Sequence, residues 1–270
     1  MLHEIADRDF LGRLAATVGS VQLSKWILDE ANTSCSGQQA HDLALEMAAR
    51  YLGGEPLQYI FGHWSFRSLD LKCDGRALIP RPETELLVEL VRVEIDSNPE
   101  IVKVLEIGTG TGAIALALAS EVSGLSIVAT DVSLDALDLA SENLAAQSGL
   151  KSNVEIVYSD VFSSLDEYGA FDLIVSNPPY IASSAELDPR VAGNEPHQAL
   201  FGGEDGLSVI RRIIEGAPSM LRRGAAQKVF IEIDETHGSK VAELARNNGY
   251  SDVGIRKDLA GKERFACLVF

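Results

Sequence analysis

The residues with the most chemistry in this sequence are Asn177-Pro178-Pro179-Tyr180. Two consecutive prolines remove two backbone donors and stiffen the chain. The Asn177 side-chain oxygen and the Pro178 carbonyl can then converge as a pair of acceptors. A planar NH2 group fits that pair, because each acceptor takes one hydrogen and the electron density on nitrogen rises. Tyr180 can stack on the flat face of the same group. A nitrogen held this way can attack a sulfonium methyl in line, and the protein's part is then mostly positioning. Neither a metal nor a strong nucleophile is required. Asn-Pro and Pro-Pro are also ordinary turn dipeptides, so the motif takes its meaning from what surrounds it.

A second group is Glu106-Ile-Gly108-Thr109-Gly110-Thr111-Gly112. Glycines in such a loop let the backbone approach a ligand closely. Taken alone, Gly108-x-Gly110-x-x-Ala113 is open to a nucleotide-like ligand, to NAD or FAD, or to a structural turn. Three acids narrow the choice. Glu106 ends one apolar run, Asp131 (followed by Val132) ends the next, and Asp160 with Val161 and Phe162 ends the third. A carboxylate in the place of Asp131 can accept from both ribose hydroxyls of an adenosine, and apolar side chains beside Asp160 can flank an adenine ring. Each acid could instead merely cap its turn, but three at successive strand ends beside a glycine loop favour the ligand.

These groups need a scaffold, and the patterning supplies one. After Asn98-Pro99 the sequence alternates buried runs with helical periods. Strands are expected at Lys103–Ile107, Ser126–Thr130, Val154–Tyr158, Asp172–Ser176 and Val229–Ile233. Helices are expected at Gly112–Ser120, Leu134–Gln147, Leu207–Leu221 and Thr236–Asn247. Short buried strands separated by helices call for a parallel sheet covered on both faces. Two last strands, near Asp252–Arg256 and Arg264–Phe270, have no helix between them and must run antiparallel. Ahead of this region, residues 1–62 read as a helical domain, residues 63–82 as a β-hairpin linker turning at Asp74-Gly75, and 83–270 as the α/β domain. The stretch 181–206 lacks periodicity and follows the reacting site, so a substrate-docking lid is expected there.

The chain has 270 residues, with 23 basic and 40 acidic side chains and a net charge of −17. Nucleic-acid binding needs clustered Lys and Arg to neutralise phosphates, and no such cluster occurs. A protein or small-molecule substrate is favoured over bare nucleic acid. No apolar run reaches the roughly 20 residues of a membrane span, and the N-terminus lacks a basic leader. Cys35, Cys73 and Cys267 are far apart and form no CxxC pair; with the rest they point to a reducing, cytoplasmic setting without disulfide or zinc. The histidines lack metal-ligand spacing. A monomer is expected.

The glycine loop, Asp131 and the Asn-Pro-Pro-Tyr run together resemble class I amino-methyltransferases. Gly54-Glu-Pro-Leu-Gln-Tyr-Ile60, Leu78-Ile-Pro-Arg-Pro-Glu-Thr-Glu85, Glu195-Pro196, Gly202-Gly203, Asp205-Gly206-Leu207 and Asp258-Leu-Ala-Gly261 narrow the resemblance to the release-factor glutamine methyltransferases. It covers the chain from about residue 50 onward. The resemblance implies a doubly wound, seven-stranded, mostly parallel sheet with one antiparallel strand. It implies S-adenosyl-L-methionine as methyl donor, S-adenosyl-L-homocysteine as product, and as acceptor the glutamine amide of the Gly-Gly-Gln loop of peptide-chain release factors. Gly108 to Gly112, Asp131, Val161 and Asn177 would line the cofactor, Asn177 to Tyr180 would hold the glutamine, and Arg81, Glu83 and Thr84 would close over the site. Glu106 stands where Asp is frequent in the family, and Asn194, Asp234 and His237 also depart from its pattern. Competing readings are an adenine-amino methyltransferase, a glutamine methyltransferase of a ribosomal protein, an NAD-dependent oxidoreductase and a non-catalytic binding module. The charge opposes the first, the linker motif disfavours the second, the third leaves the Asn-Pro-Pro-Tyr run unexplained, and the intact loop opposes the fourth.

Overall fold

The computed structural model describes residues 2–224 and 227–270, with side chains from Asp9 onward; Met1, where the expected helical region starts, lies outside the described residues. Two compact units divide the chain. One runs to Gly62 and takes in Leu187–Asn194, and the other comprises His63–Glu186 and Glu195–Phe270.

The helical unit contains α1 (Leu2–Val18), α2 (Val21–Ser34), α3 (Gln38–Leu52) and α4 (Leu57–Phe61). Ser20 caps α2, its side chain accepting from the Leu23 N–H, which satisfies one of the free donors at a helix start. Phe10, Leu14, Ile27, Leu28, Ala31, Ala40, Ala44 and Met47 are buried together with Ser24. The segment Leu187–Asn194 joins this unit through Arg190, which lies 4.7 Å over the Tyr51 ring, and through Asn194, which donates to the Gly54 carbonyl at 3.1 Å.

The second unit opens with a hairpin of β1 (His63–Phe66) and β2 (Leu69–Lys72), followed by α5 (Pro82–Ser97). The hairpin turns at Arg67-Ser68, which corrects the expected turn at Asp74-Gly75. Arg67 has φ 51, a conformation that local preference alone would assign to glycine. Tertiary contacts decide it: the Arg67 N–H donates to Glu85 at 2.8 Å, and its guanidinium meets Glu89 and Glu121. Asp74-Gly75 forms a separate turn after the hairpin, in which Asp74 accepts from the Arg76 N–H. Pro82 starts α5 with Glu83 and Glu85 in its first turn, the arrangement that suits the free donors of a helix N-terminus.

The α/β layers follow as β3 (Lys103–Ile107), α6 (Ala113–Glu121), β4 (Ser126–Asp131), α7 (Leu134–Ala146), β5 (Asn153–Tyr158) and β6 (Leu173–Ser176). Then come α8 (Pro189–Ala192), α9 (His197–Leu200), α10 (Ser208–Met220), β7 (Lys228–Glu232), α11 (Gly238–Asn247), β8 (Asp252–Lys257) and β9 (Glu263–Val269). The seven-stranded sheet has the order β5-β4-β3-β6-β7-β9-β8. All neighbours are parallel except β9, which runs antiparallel to both β7 and β8. Apolar residues bury both faces. Leu87, Val91, Ile114 and Leu118 cover one side; Ile210, Ile214, Val241 and Ala245 cover the other. This is the doubly wound architecture that the alternating pattern predicts. Its strand order reverses between β3 and β6, where open α/β sheets leave a crevice at the carboxyl ends of the strands. No helix of the described residues is long and apolar enough to cross a membrane.

Candidate active site

A cavity of about 380 Å³ opens at that reversal point, within the range of roughly 300–1,000 Å³ usual for small-ligand sites. Glu106, Gly108, Thr109, Gly110 and Thr111 line it from the β3 end, Asp131 and Val132 from β4, and Asp160 and Val161 from β5. Asn177, Pro178 and Pro179 line it from β6, and Arg81 and Thr84 from the start of α5. The strands converge because their ends are tied. The Ser176 hydroxyl donates to the Ile107 carbonyl at 2.7 Å, and the Thr130 hydroxyl donates to the Glu106 carbonyl at 2.8 Å.

The glycine loop is held open by backbone conformation. Gly108, Gly110 and Gly112 have φ of 75, 55 and 85, values that side chains rarely adopt. The N–H groups of Gly108 and Thr109 both donate to the Thr130 carbonyl at 2.8 Å. Glu106 locks the loop to α6: its Oε2 accepts from the Thr109 hydroxyl at 2.8 Å and from the Ala115 N–H at 3.1 Å. Its Oε1 is buried with no partner among the described residues. Burial pushes the Glu106 carboxyl up to about 8, against the pull of Thr109 and Ala115.

Asp131 accepts from the Gly110 N–H and the Ser133 N–H, each at 2.9 Å. Its burial raises the carboxyl above the usual range, partly offset by those donors. The Val132 N–H also bears on it, and the carboxylate keeps acceptor capacity for a ligand hydroxyl. Val161 has φ 57, an outlier for a β-branched residue. The Ser159 hydroxyl, donating to the Val161 carbonyl at 3.0 Å, holds this turn and keeps Val161 against the cavity. Asp160 is paired with Arg212 of α10 at 2.8 Å. Phe162, expected beside the cavity, packs on α10 at Gly216 instead, where an added Cβ would lie 2.5 Å from its ring.

Asn177 donates through Nδ2 to the Thr84 hydroxyl at 3.1 Å. Thr84 donates in turn to Glu232 at the end of β7, at 2.8 Å. Tyr180 donates to the other oxygen of Glu232 at 3.3 Å. Behind this turn the segment 202–206 presses against it. An added Cβ at Gly202 would lie 2.4 Å from the Pro179 carbonyl oxygen, and one at Gly206 would lie 2.2 Å from that of Tyr180. Only glycine lets the two backbones approach so closely. Arg81 forms an ion pair with the buried Glu195 at 2.5 Å, and Glu195 also accepts from the Ile79 N–H at 3.2 Å. Glu195 therefore fixes the segment 79–81 along the cavity wall.

Of the residues singled out from sequence, Gly112, Tyr180 and Glu83 do not line the cavity. Gly112 precedes α6, Tyr180 stands behind the wall on Glu232, and Glu83 is exposed in the first turn of α5. Glu195, Arg212 and Glu232 were not singled out. Glu195 lies within a motif noted above, and Glu232 is an acid inside a buried strand, the one signal that could have marked it. Arg212 carried none. Among the described residues no group of three or more His, Cys, Asp or Glu is placed to hold a metal ion.

The residues fit S-adenosyl-L-methionine in several respects. Asp131 has free lone pairs for a ribose, the glycine loop leaves room for close approach, Val132 and Val161 offer apolar walls, and Glu106 carries a buried oxygen without a donor.

Comparison with known proteins gives the same class. Residues 82–246 match the family model described as the methyltransferase small domain, so the fold and cavity are those of an S-adenosyl-L-methionine-dependent methyltransferase. A solved 16S rRNA N2 G1207 methyltransferase from T. thermophilus, in complex with AdoMet and guanosine, superposes with a TM-score of 0.54 at 21% identity, over 77% of this chain and 49% of that one. A release factor glutamine methyltransferase of Streptococcus pneumoniae is 43% identical over 87% of this chain and 81% of its own length. A human relative, MTRF1L release factor glutamine methyltransferase, is 35% identical over 82% of this chain and 69% of its own. The chain belongs to the release factor glutamine methyltransferase family.

Proposed function

We propose that this chain methylates the side-chain amide nitrogen of the glutamine in the Gly-Gly-Gln loop of peptide-chain release factors. The observation that carries the reading is the Asn177-Pro178 turn on the wall of the cavity, with the Asn177 nitrogen already engaged by Thr84 and its oxygen left for a substrate N–H. Family membership supports the same acceptor.

When bound, S-adenosyl-L-methionine would supply the methyl group, its sulfur keeping the electron pair of the broken bond in S-adenosyl-L-homocysteine, while the amide nitrogen would lose one proton to solvent water. The chain's own residues bind and orient. Asp131 takes the ribose hydroxyls, and Gly108 to Thr111 shape the bed beneath the donor. Val132, Asp160 and Val161 border the adenine. Asn177 and the Pro178 carbonyl accept from the two amide hydrogens and so align the nitrogen, Pro179 stiffens the turn, and Tyr180 braces it. Such alignment converts an encounter of two molecules into a reaction within one complex. Arg81, through Glu195, holds the wall segment in place, and Thr84 orients Asn177.

The helical unit, about residues 1–62, serves as the recognition module for the protein substrate, with 63–82 as its linker to the catalytic domain at 83–270. Val21, Trp26, Leu45 and Leu52 expose large apolar side chains there, which suits contact with a folded partner. We read the chain as a cytoplasmic monomer that binds neither nucleic acid nor membrane. Its three unpaired cysteines and the charge of −17 support that reading.

A methyl-transfer assay with labelled donor tests the function. Purified release factor is expected to take label, and the same factor with the loop glutamine changed to alanine is not. Label in RNA, DNA or a ribosomal protein instead would overturn the assignment.

A further inference from the structure

Thr84 stands between two groups of opposite chemical character. Asn177 Nδ2 lies 3.1 Å from the Thr84 hydroxyl oxygen, and that oxygen lies 2.8 Å from Glu232 Oε2. A hydroxyl carries a single proton, and an ionised carboxylate only accepts. While Glu232 is ionised the Thr84 proton goes to it, which leaves Thr84 able only to accept from Asn177. The Asn177 atom facing Thr84 is compelled to be nitrogen, and the oxygen is compelled to face the other way. No donor among the described residues meets that oxygen. An asparagine amide without such a constraint has two nearly isosteric orientations. The reversed one would set an NH2 group against the NH2 of a substrate, donor against donor.

We propose that Glu232 is a positioning residue: acting through Thr84, it fixes the direction of the Asn177 amide so that the site accepts a substrate N–H and refuses a carboxylate. This rests on the glutamine reading above and deepens it, since glutamine and glutamate differ in that one group. The chain Asn177–Thr84–Glu232 joins β6, α5 and β7, and Tyr180 hangs from the same carboxylate. Four groups face Glu232: Thr84 and Glu83 from α5, Tyr180 from the turn after β6, and Arg264 from β9. Burial pushes its carboxyl up to about 7, with Thr84, Arg264 and Tyr180 pulling it down and Glu83 adding to the rise.

The test is a set of variants assayed for kcat and KM on purified release factor, with S-adenosyl-L-homocysteine binding measured separately. Thr84→Val keeps the shape and deletes the relay; kcat is expected to fall by roughly 100-fold, the lower end of the loss for one preorganised polar contact in an active site, with cofactor binding close to wild type. Thr84→Ser keeps the hydroxyl and restores most of the rate. Asn177→Asp turns an acceptor towards Thr84, whose proton is already committed to Glu232, so activity drops. Adding Glu232→Gln supplies a donor to Thr84, frees the Thr84 proton for the carboxylate introduced at position 177 and recovers part of that loss. A merely structural Glu232 would make the two losses add. Thr84→Val equal to wild type, or additive losses in the double variant, would overturn the relay alone. A wild-type chain that labels no release factor would overturn the glutamine reading and this proposal together.

Discussion

Asp131→Asn separates the ligand role of Asp131 from a structural one. In the free protein the carboxylate accepts two backbone N–H groups at 2.9 Å, from Gly110 and Ser133. Burial nevertheless raises its pKa from 3.8, so the desolvation cost exceeds what those donors return. The sign follows from linkage. A carboxyl whose folded pKa is raised contributes stability below its unfolded value and loses that contribution as pH rises through the folded one. At neutral pH the ionised Asp131 is therefore a net burden on the free fold. Asparagine removes the charge but sets its NH2 against one of the two N–H donors, so the two changes oppose each other. The wild-type melting temperature is expected to gain on that of the variant as pH drops. Binding behaves in the opposite way. Hydrogen bonds to a charged acceptor contribute about 1.5–3 kcal/mol each. Losing charge at an acceptor for two ribose hydroxyls then costs about 3 kcal/mol, or roughly 10²-fold in Kd at 1.4 kcal/mol per decade. Calorimetry with S-adenosyl-L-homocysteine, run beside thermal melts of both proteins, measures the two effects separately. A Kd within about threefold of wild type, less than about 0.7 kcal/mol, would refute the ribose role. A wild-type melting temperature that does not gain on the variant's as pH drops would refute the burial argument.

Three further outcomes are expected. Glu106, held up to about 8 by burial against an ordinary value of 4.5, makes the free protein lose stability as pH rises across that window; melts of wild type and Glu106→Gln should diverge there, and parallel curves would contradict this. The relay requires an ionised Glu232, so kcat is expected to fall as pH drops through about 7, a limb that Glu232→Gln should lack in the same pH–rate profile. Gly206→Ala would place a Cβ 2.2 Å from the Tyr180 carbonyl oxygen; overpacking of this kind costs about 1–3 kcal/mol, which denaturant unfolding would read, with lost activity as the Asn177 turn shifts.

The sheet was legible because its strands are buried on both faces and its helices are strongly periodic. Lys103–Ile107 is found where the pattern places it, and the strand-end acids Glu106, Asp131 and Asp160 reach one cavity with Asn177. Elements set by distant contacts were not legible. Arg67 turns the hairpin because Glu85, Glu89 and Glu121 hold it from α5 and α6, whereas the local signal at Asp74-Gly75 marks only a smaller turn. Glu232 reads as one acid in an apolar strand, and only the fold brings it to Thr84, far away in sequence. Phe162 is adjacent to Val161, yet the left-handed backbone at Val161 sends the two side chains to different surroundings. The segment 181–206 was expected as one lid. Its middle joins the helical unit through Arg190 and Asn194, while Pro196, Gln198 and Ala199 line the cavity, a division that aperiodic sequence cannot reveal.

The transferred methyl group is expected on a glutamine amide nitrogen held by Asn177. Mass spectrometry of release factor after incubation with the chain and S-adenosyl-L-methionine locates that group. One added methyl on the side chain of the Gly-Gly-Gln glutamine, absent when Asn177→Ala replaces the wild type, is the predicted result. A methyl on any other residue, or an undiminished yield with Asn177→Ala, would contradict it.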